Sequence, residues 1–239
     1  MARALRVSPR AAVVIVVVVL ALLNVADIRI AHASLVLGPV CVAGLTALAR
    51  LAGLSWQDLG LGPGTWRPGL KWAGVEIAVV ALVLAVGAAL PLTREAFRDT
   101  RYRLSWGNAL LTSLVLIPIG TVLVEELAFR GVLWGLLREV KGTATATIVS
   151  SVLFGLWHVL PSLGLATSNQ AITGTVGSGR SAQATTVLAT VLFTALSGVV
   201  FCEVRRRSGS ILASAGLHWA TNGLSVLASA AVWAWGTTR

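Results

Sequence analysis

Three ionisable side chains lie inside one apolar stretch of the sequence, Val124-Glu125-Glu126-Leu127-Ala128-Phe129-Arg130-Gly131. An ionised side chain at the centre of a membrane helix is disfavoured by about 2.5 to 3.5 kcal/mol, so such residues are functional candidates that need partners. Arg130 follows Glu126 by one helical turn on the same face, and this spacing predicts a salt bridge. Glu125 points about 100° away from Glu126 and has no such local partner. We therefore predict that Glu125 is the carboxylate available for chemistry.

Two histidines occur in later apolar stretches, and each has a partner residue four positions away: Phe154 for His158, and Asn222 for His218. Four-residue spacing places both members of a pair on one helix face. At 1.5 Å per residue, Glu125 lies about 20 Å from the predicted inner end of its helix, His158 about 24 Å and His218 about 15 Å. All three can therefore lie near the middle of a hydrocarbon core about 30 Å thick. We predict that they form one site with Asn222.

Each of these features also has an ordinary structural explanation, because polar side chains in membrane helices often hydrogen-bond between helices. The residues alone therefore leave three hypotheses: an enzyme, a non-proteolytic membrane scaffold or immunity protein, and a proton-coupled transporter. Transporters usually contain repeats and paired broken helices, and no fixed-period repeat occurs in this sequence. Convergence of Glu125, His158, His218 and Asn222 on one cavity favours the enzyme, whereas dispersed side chains favour the scaffold.

The composition is that of a membrane protein with several spans. The chain has 239 residues, of which 56% are hydrophobic and 12% charged, and its mean hydropathy is +0.84. Its net charge is +10, but the arginines lie in short clusters between apolar runs rather than on one face with aromatic residues. This distribution is typical of arginines that set the topology of a membrane protein. We therefore predict no nucleic-acid partner. The predicted partners are membrane lipids and a substrate.

The apolar runs predict an all-α, polytopic transmembrane helical bundle of about seven spans. The predicted spans cover residues 11–26, 33–54, 72–92, 106–137, 143–160, 187–202 and 210–235, with a short interfacial segment over 55–69. Residues 93–105 are predicted to form a solvated loop, and residues 161–186 a flexible connector beside His158. We predict one integrated membrane domain, in which residues 1–105 carry no motif and residues 106–239 form the catalytic core.

The basic residues predict the orientation of the chain in the cell membrane. Arg3 and Arg6 precede the first apolar run, which is typical of a signal peptide or of a first membrane helix. A second span follows at once, so we predict an uncleaved helix with His32 at the membrane interface. The side that holds the N-terminus carries more Lys and Arg than the other, which predicts a cytoplasmic N-terminus.

The order of the three motifs resembles that of the CPBP family of intramembrane proteases, which includes the type II CAAX prenyl endopeptidases and bacterial Abi-like relatives. The likeness covers about residues 106–228 and comprises Glu125, Glu126, Arg130, Phe154, His158, His218 and Asn222. It implies an intramembrane endopeptidase that cleaves a peptide or membrane protein. The resemblance implies that the glutamates, histidines and asparagine are catalytic, while Arg130 and Phe154 support the structure.

Hydrolysis of a peptide bond needs an activated water and a group that stabilises the oxyanion. We predict that Glu125 is the general base, that His158 helps to hold the water, and that His218 and Asn222 donate hydrogen bonds to the oxyanion. Two schemes fit these residues. In one, Glu125, His158 and His218 bind a zinc ion that polarises the water; in the other, no metal is used. The His-Glu-x-x-His signature of zinc proteases is absent, and both schemes stay open.

Overall fold

The structure is a computed structural model that describes residues 7–30 and 33–236. These residues fold almost entirely into helices, with an isolated bridge between Asp99 and Asn169. The helices are α1 (Pro9–Arg29), α2 (Ala33–Leu51), α3 (Trp66–Ala89), α4 (Pro91–Arg94), α5 (Trp106–Trp157), α6 (Leu165–Ser168), α7 (Gln170–Val176), α8 (Arg180–Ser208) and α9 (Ile211–Trp219, Ala220–Leu224 and Ser225–Gly236). Short 3-10 turns cover Pro63–Thr65, Glu95–Phe97 and Thr100–Tyr102. The predicted all-α membrane bundle is confirmed.

Five helices in the described ranges are long and apolar enough to cross a membrane: α1, α2, α3 with its preceding turn, α5 and α8. Helix α5 is 52 residues long and is interrupted at Gly142, where φ is 80° and ψ is 171°. Glycine adopts this left-handed conformation without a Cβ clash, so it separates the predicted fourth and fifth spans. We call residues 106–141 α5a and residues 143–157 α5b. The chain is thus a multi-pass membrane protein, while the count of seven spans stays a prediction.

The predicted cytoplasmic N-terminus and cell-membrane location also stay predictions. Arg3 and Arg6, which contribute to the predicted orientation, lie outside the described residues. His32, which is predicted at the membrane interface, also lies outside them.

Two connectors differ from their predictions. Helix α8 runs from Arg180 to Ser208, so it extends the predicted span 187–202 at both ends and includes residues 203–207, which lie between two predicted spans. Within this extension Glu203 pairs with Arg206 and Arg207, three and four residues on, at a spacing that favours a helix. Between His158 and α8, helices α6 and α7 replace the predicted irregular connector, and the Asn169 side chain caps α7 by accepting from two backbone amides.

The segment between α2 and α3 is only partly interfacial. Trp56 and Trp66 are exposed, as expected of residues at the headgroup level, but Leu59 is buried in the core beside α5. Its carbonyl oxygen lies 3.5 Å from the position that a Cβ at Gly131 would occupy. Asp58 binds Arg138 at 2.6 Å and fastens this connector to the end of α5a. Leu59 of this segment therefore packs inward, because the absence of a side chain at Gly131 leaves room for it against α5.

Close helix packing positions the motif residues. Helix α5b lies against α8, and a Cβ added at Gly155 would come within 2.7 Å of the Val191 carbonyl oxygen and 2.9 Å of Ala195 Cβ. Helix α9 packs on α3 in the same manner, with Gly216 against Ala73. Small residues at such crossings let two helix backbones approach closely in a membrane. The backbone of the Phe154 and His158 motif is thus held directly against α8.

Replacing Gly155 with Ala is expected to destabilise the protein by about 1 to 3 kcal/mol, since the added methyl meets the α8 backbone. The free energy of unfolding in detergent micelles measures this change. Gly107→Ala is the matched control, because Gly107 is helical in α5a and a Cβ added there would have no described neighbour within 4 Å. We expect that control to be neutral or stabilising by up to about 1 kcal/mol. Equal stability of Gly155→Ala and wild type would contradict the close crossing.

Candidate active site

Glu125 is buried on α5a, with its two carboxylate oxygens in different surroundings. Oε1 accepts a hydrogen bond of 3.0 Å from the indole Nε1 of Trp157. Oε2 has no hydrogen-bond partner within the described ranges and lies 3.8 Å from Nε2 of His218. A carboxylate oxygen buried without a partner is energetically costly, so such a group is a candidate for binding a water or a substrate. One oxygen of Glu125 is thus anchored, and the other is available.

Glu126 lies in a buried polar cluster beneath Glu125. Its Oε1 is 3.2 Å from Nη1 of Arg130 and accepts from Nδ1 of His218 at 2.9 Å. The Arg130 guanidinium carbon lies 3.8 Å from the ring centroid of Phe154 and 4.8 Å from that of Phe201, so the charge also faces aromatic rings. The predicted salt bridge between Glu126 and Arg130 is confirmed.

Three of the seven motif residues lie in π-helical segments. These segments are Thr112–Leu116, Pro118–Val122, Glu126–Leu133 and Ala220–Leu224. They contain Glu126, Arg130 and Asn222, and π-helical turns occur frequently at functional sites. The helix stays continuous through Pro118 and is π-helical on both sides of it. The α-helical angle of 100° between neighbouring residues is therefore only approximate here, and the predicted four-residue contact is still made.

His218 is held by a hydrogen bond at each ring nitrogen. Because a carboxylate can only accept, Nδ1 must carry the proton that is donated to Glu126. Nε2 lies 3.1 Å from the Asn222 side-chain nitrogen and accepts from it in this orientation of the amide. The Phe201 ring stacks on the imidazole with centroids 5.1 Å apart. The predicted contact between His218 and Asn222 is thus present, and the histidine is fixed as one tautomer.

His158 follows the last residue of α5b, which ends at Trp157 rather than in the predicted region of residue 160. Its Nδ1 donates to the Phe154 carbonyl oxygen at 2.8 Å, since a carbonyl can only accept. Nε2 makes no hydrogen bond with any described residue. Phe154 has edge contacts with both imidazoles, at 4.7 Å from His158 and 5.9 Å from His218. Phe154 therefore packs against both histidines and helps to orient them.

A cavity of about 930 Å³ connects these residues. Its wall includes Glu125, His158 and Asn222, which come from α5a, the end of α5b and α9. His218 lies behind this wall, in contact with Asn222 and close to Glu125, and Glu126, Arg130 and Phe154 form the buried layer around it. Ligand cavities typically have volumes of about 300 to 1,000 Å³, so the space suits part of a peptide chain.

Two residues of this site are absent from the sequence-based prediction. Trp157 donates its indole hydrogen to Glu125, and the Asn24 side chain of α1 donates to the Trp157 carbonyl oxygen at 2.9 Å. A buried indole usually has a hydrogen-bond acceptor, and Asn24 is the one strongly polar residue in the apolar run 11–26. Both signals can be read from the sequence, although neither identifies the residue to which Trp157 or Asn24 is hydrogen-bonded. Helix α1 thus contributes to the site, although it carries no motif.

The predicted zinc ligands do not form a metal-binding group in this arrangement. Among the residues that the structure describes, no set of three His, Cys, Asp or Glu side chains is placed to hold a metal ion. His218 has both ring nitrogens engaged with protein groups, and Nδ1 of His158 is engaged with the Phe154 carbonyl oxygen. A zinc ion needs nitrogen and oxygen ligands at about 2.0 to 2.2 Å. The donor set Glu125, His158 and His218 does not fit that requirement.

Residues 107–224 match the family model described as type II CAAX prenyl endopeptidase Rce1-like, and this match contains all three motifs. Over these residues the chain resembles the Rce1-like family. No curated protein and no solved structure matches it. The resemblance to intramembrane CAAX-type proteases is confirmed, and with it the general class of peptide hydrolase acting on a peptide or protein in the membrane. Helices α1 to α4 precede the matched residues, and the division of the chain at residue 105 stays a prediction.

Proposed function

We propose that this Rce1-like protein is an intramembrane endopeptidase that hydrolyses a peptide bond with a water molecule activated by Glu125. The observation that carries the proposal is the buried and unpartnered Oε2 of Glu125, a residue that lines a cavity together with His158 and Asn222. A carboxylate with one anchored oxygen and one oxygen without a protein partner is a suitable general base, because its orientation is fixed while the second oxygen can accept a proton.

The reaction begins with a water held between Glu125 and Nε2 of His158. Glu125 takes a proton from this water while the water oxygen attacks the carbonyl carbon of the substrate. The carbonyl oxygen becomes an oxyanion, which accepts a hydrogen bond from the side-chain amide of Asn222. Glu125 then transfers its proton to the amide nitrogen, the C–N bond breaks, and the products are a carboxylic acid and an amine.

The buried layer positions these groups. We assign His218 to holding the Asn222 amide rather than to direct donation to the oxyanion, because its Nε2 accepts from that amide and its Nδ1 donates to Glu126. The ion pair of Glu126 and Arg130 fixes His218 through its Nδ1. Trp157 orients Glu125 through its bond to Oε1.

The scaffold and transporter hypotheses are less well supported. A scaffold has no need for Glu125, His158 and Asn222 to converge on one cavity, and their convergence favours the enzyme. A proton-coupled transporter places its site between repeats and broken half-helices, and the sequence has no such repeat.

Replacing Asn222 with Ala tests the proposed oxyanion donor. We expect kcat to fall by about 10²- to 10³-fold with little change in KM, because the lost hydrogen bond is made mainly in the transition state. Cleavage of prenylated and unprenylated peptides by the purified protein in lipid vesicles measures both constants. Asn108→Ala is the matched control, since Asn108 is exposed at the start of α5a and its side chain has no hydrogen bond to any described residue. Full activity of Asn222→Ala would remove Asn222 from the mechanism.

A further inference from the structure

The last carbonyl group of α5b has no backbone donor, because of the residue that follows four positions later. In a continuing helix the Trp157 carbonyl would accept from the amide of residue 161, but Pro161 has no N–H. The carbonyls on either side, of Leu156 and His158, accept from backbone amides at 3.1 Å each. No backbone amide in the described ranges donates to the Trp157 carbonyl. Because an unpaired carbonyl is costly within a membrane, this group needs a side-chain donor.

Asn24 supplies this donor from α1. Its Nδ2 donates to the Trp157 carbonyl oxygen at 2.9 Å. The preceding residue, Leu23, is buried in an apolar cluster with Val42 and Val124, and Trp157 packs against that cluster. The packing holds α1 beside the end of α5b, so that the Asn24 amide takes the place of the backbone N–H that a proline lacks.

The backbone at residue 157 fixes two groups of the proposed mechanism. The Trp157 side chain donates from its indole Nε1 to Oε1 of Glu125 at 3.0 Å. The next residue is His158, which ends the helix with φ of −86° and ψ of 0°. Glu125 and His158 are thus joined through one short segment, and Asn24 ties that segment to α1. Without this bond the carbonyl must turn towards another donor, and the indole and the imidazole turn with it.

We propose that Asn24 is a positioning residue, which holds the end of α5b so that Trp157 and His158 are aligned with Glu125. The proposal rests on the proposed function, because it takes Glu125 as the base. It makes α1, which lies outside the family match, necessary for catalysis. Asn24 also lines the cavity, and a direct contact with the substrate would raise KM, whereas positioning lowers kcat at unchanged KM.

Asn24→Leu tests this role, because leucine is similar in size and has no donor. We expect kcat to fall by about ten- to a hundredfold with KM nearly unchanged, since a displacement of about 1 Å can cost about 10²-fold in rate. Cleavage of a panel of prenylated and unprenylated peptides in lipid vesicles measures both constants. Asn108→Leu is the matched control and should keep the wild-type constants, because the exposed Asn108 side chain has no hydrogen bond to any described residue. Asn24→Ala, which removes the same donor, replaces Asn24→Leu if the leucine variant does not fold.

Pro161→Ala is a specific suppressor of that loss. Alanine restores an N–H at residue 161, which can donate to the Trp157 carbonyl in place of Asn24. We expect the loss caused by Asn24→Leu to shrink to less than about twofold when it is introduced into Pro161→Ala. Pro91→Ala is the control background, because Pro91 is exposed at the start of α4 and is not on the cavity wall. There the loss should be as large as in the wild-type chain.

The indole proton of Trp157 gives a readout that needs no substrate. It is followed by NMR of protein labelled with indole-¹⁵N tryptophan in detergent micelles, and Trp157→Phe assigns the resonance. A proton donated to a carboxylate resonates at lower field than a free one, so Asn24→Leu is expected to move it upfield. Pro161→Ala in the same chain should return it towards the wild-type position, and Asn108→Leu should leave it unchanged.

Four outcomes would overturn the proposal. They are wild-type kcat in Asn24→Leu, an increase in KM alone, a loss that persists in full with Pro161→Ala, and an unchanged indole resonance. If the wild type cleaves no peptide in the panel, the hydrolase is rejected, and the indole resonance still decides whether Asn24 positions Trp157. A shift that Pro161→Ala reverses keeps that role, and the absence of a shift rejects it.

Discussion

Replacing Glu125 with Gln is expected to lower kcat for peptide cleavage by about 10²- to 10⁴-fold, the range associated with loss of a general base. Glutamine nearly matches glutamate in shape, and its carbonyl oxygen can still accept from the Trp157 indole. The change therefore removes proton acceptance while it retains the anchoring bond. Because the amide also removes a buried charge whose Oε2 has no partner among the described residues, the variant should be at least as stable as wild type. Steady-state cleavage and thermal unfolding in the same vesicles measure both quantities.

Glu139→Gln is the matched control for this variant. Glu139 lies on α5a as well, but it is exposed and pairs with Arg138 at 3.7 Å. We expect its kcat and stability to equal those of wild type, because exposed ion pairs contribute little. If Glu125→Gln retains wild-type kcat, or if it loses activity only because it unfolds, Glu125 is not the base.

Replacing Arg130 with Met is expected to destabilise the protein by about 3 to 5 kcal/mol, because removing one member of a buried ion pair leaves an uncompensated charge. Among the described residues, Glu126 would then keep His218 as the partner for Oε1, in a fully buried position. The methionine side chain is apolar and of similar length, so it can still pack on Phe154 and Phe201. The free energy of unfolding in mixed detergent micelles measures the loss.

The double variant Glu126→Gln/Arg130→Met separates charge from packing. It is expected to recover most of the lost stability, because the introduced glutamine is neutral and its carbonyl oxygen can accept from Nδ1 of His218. Arg206→Met is the control for loss of an ion pair at the surface, since Arg206 pairs with Glu203 in an exposed position. We expect that control to change stability by less than about 1 kcal/mol. If the double variant is as unstable as Arg130→Met, the buried pair does not act through charge.

Local spacing was sufficient to predict the contacts within each motif. The pairs Glu126 with Arg130, Phe154 with His158 and His218 with Asn222 are each four residues apart, and each pair is in contact. Such contacts depend only on helix geometry, which changes little even where the turns are π-helical. The apolar runs likewise predicted the membrane bundle, because spans are recognised by length and hydropathy.

Contacts between residues that are far apart along the chain could not be predicted from the sequence. Asn24 meets Trp157 across 133 positions, and Trp157 meets Glu125 across 32. Such pairs depend on how α1, α5a and α5b cross, and neither residue carries periodic information about its partner. For the same reason, the position of His218 behind the cavity wall could not be read from its spacing to Asn222. The packing partners of the glycines could not be predicted either, because the sequence does not show that Leu59 lies against Gly131.

Cleavage in water enriched in ¹⁸O tests most directly the claim that a Glu125-activated water splits the amide bond. Wild-type protein in lipid vesicles reacts with a panel of prenylated and unprenylated peptides under single-turnover conditions, and mass spectrometry follows the peptides and the intact protein. The account predicts one ¹⁸O atom in the new carboxyl group, no peptide adduct on the protein, and formation of labelled product about 10²- to 10⁴-fold more slowly with Glu125→Gln. A covalent peptide adduct, labelled product at the wild-type rate from Glu125→Gln, or no cleavage of any peptide in the panel would contradict it.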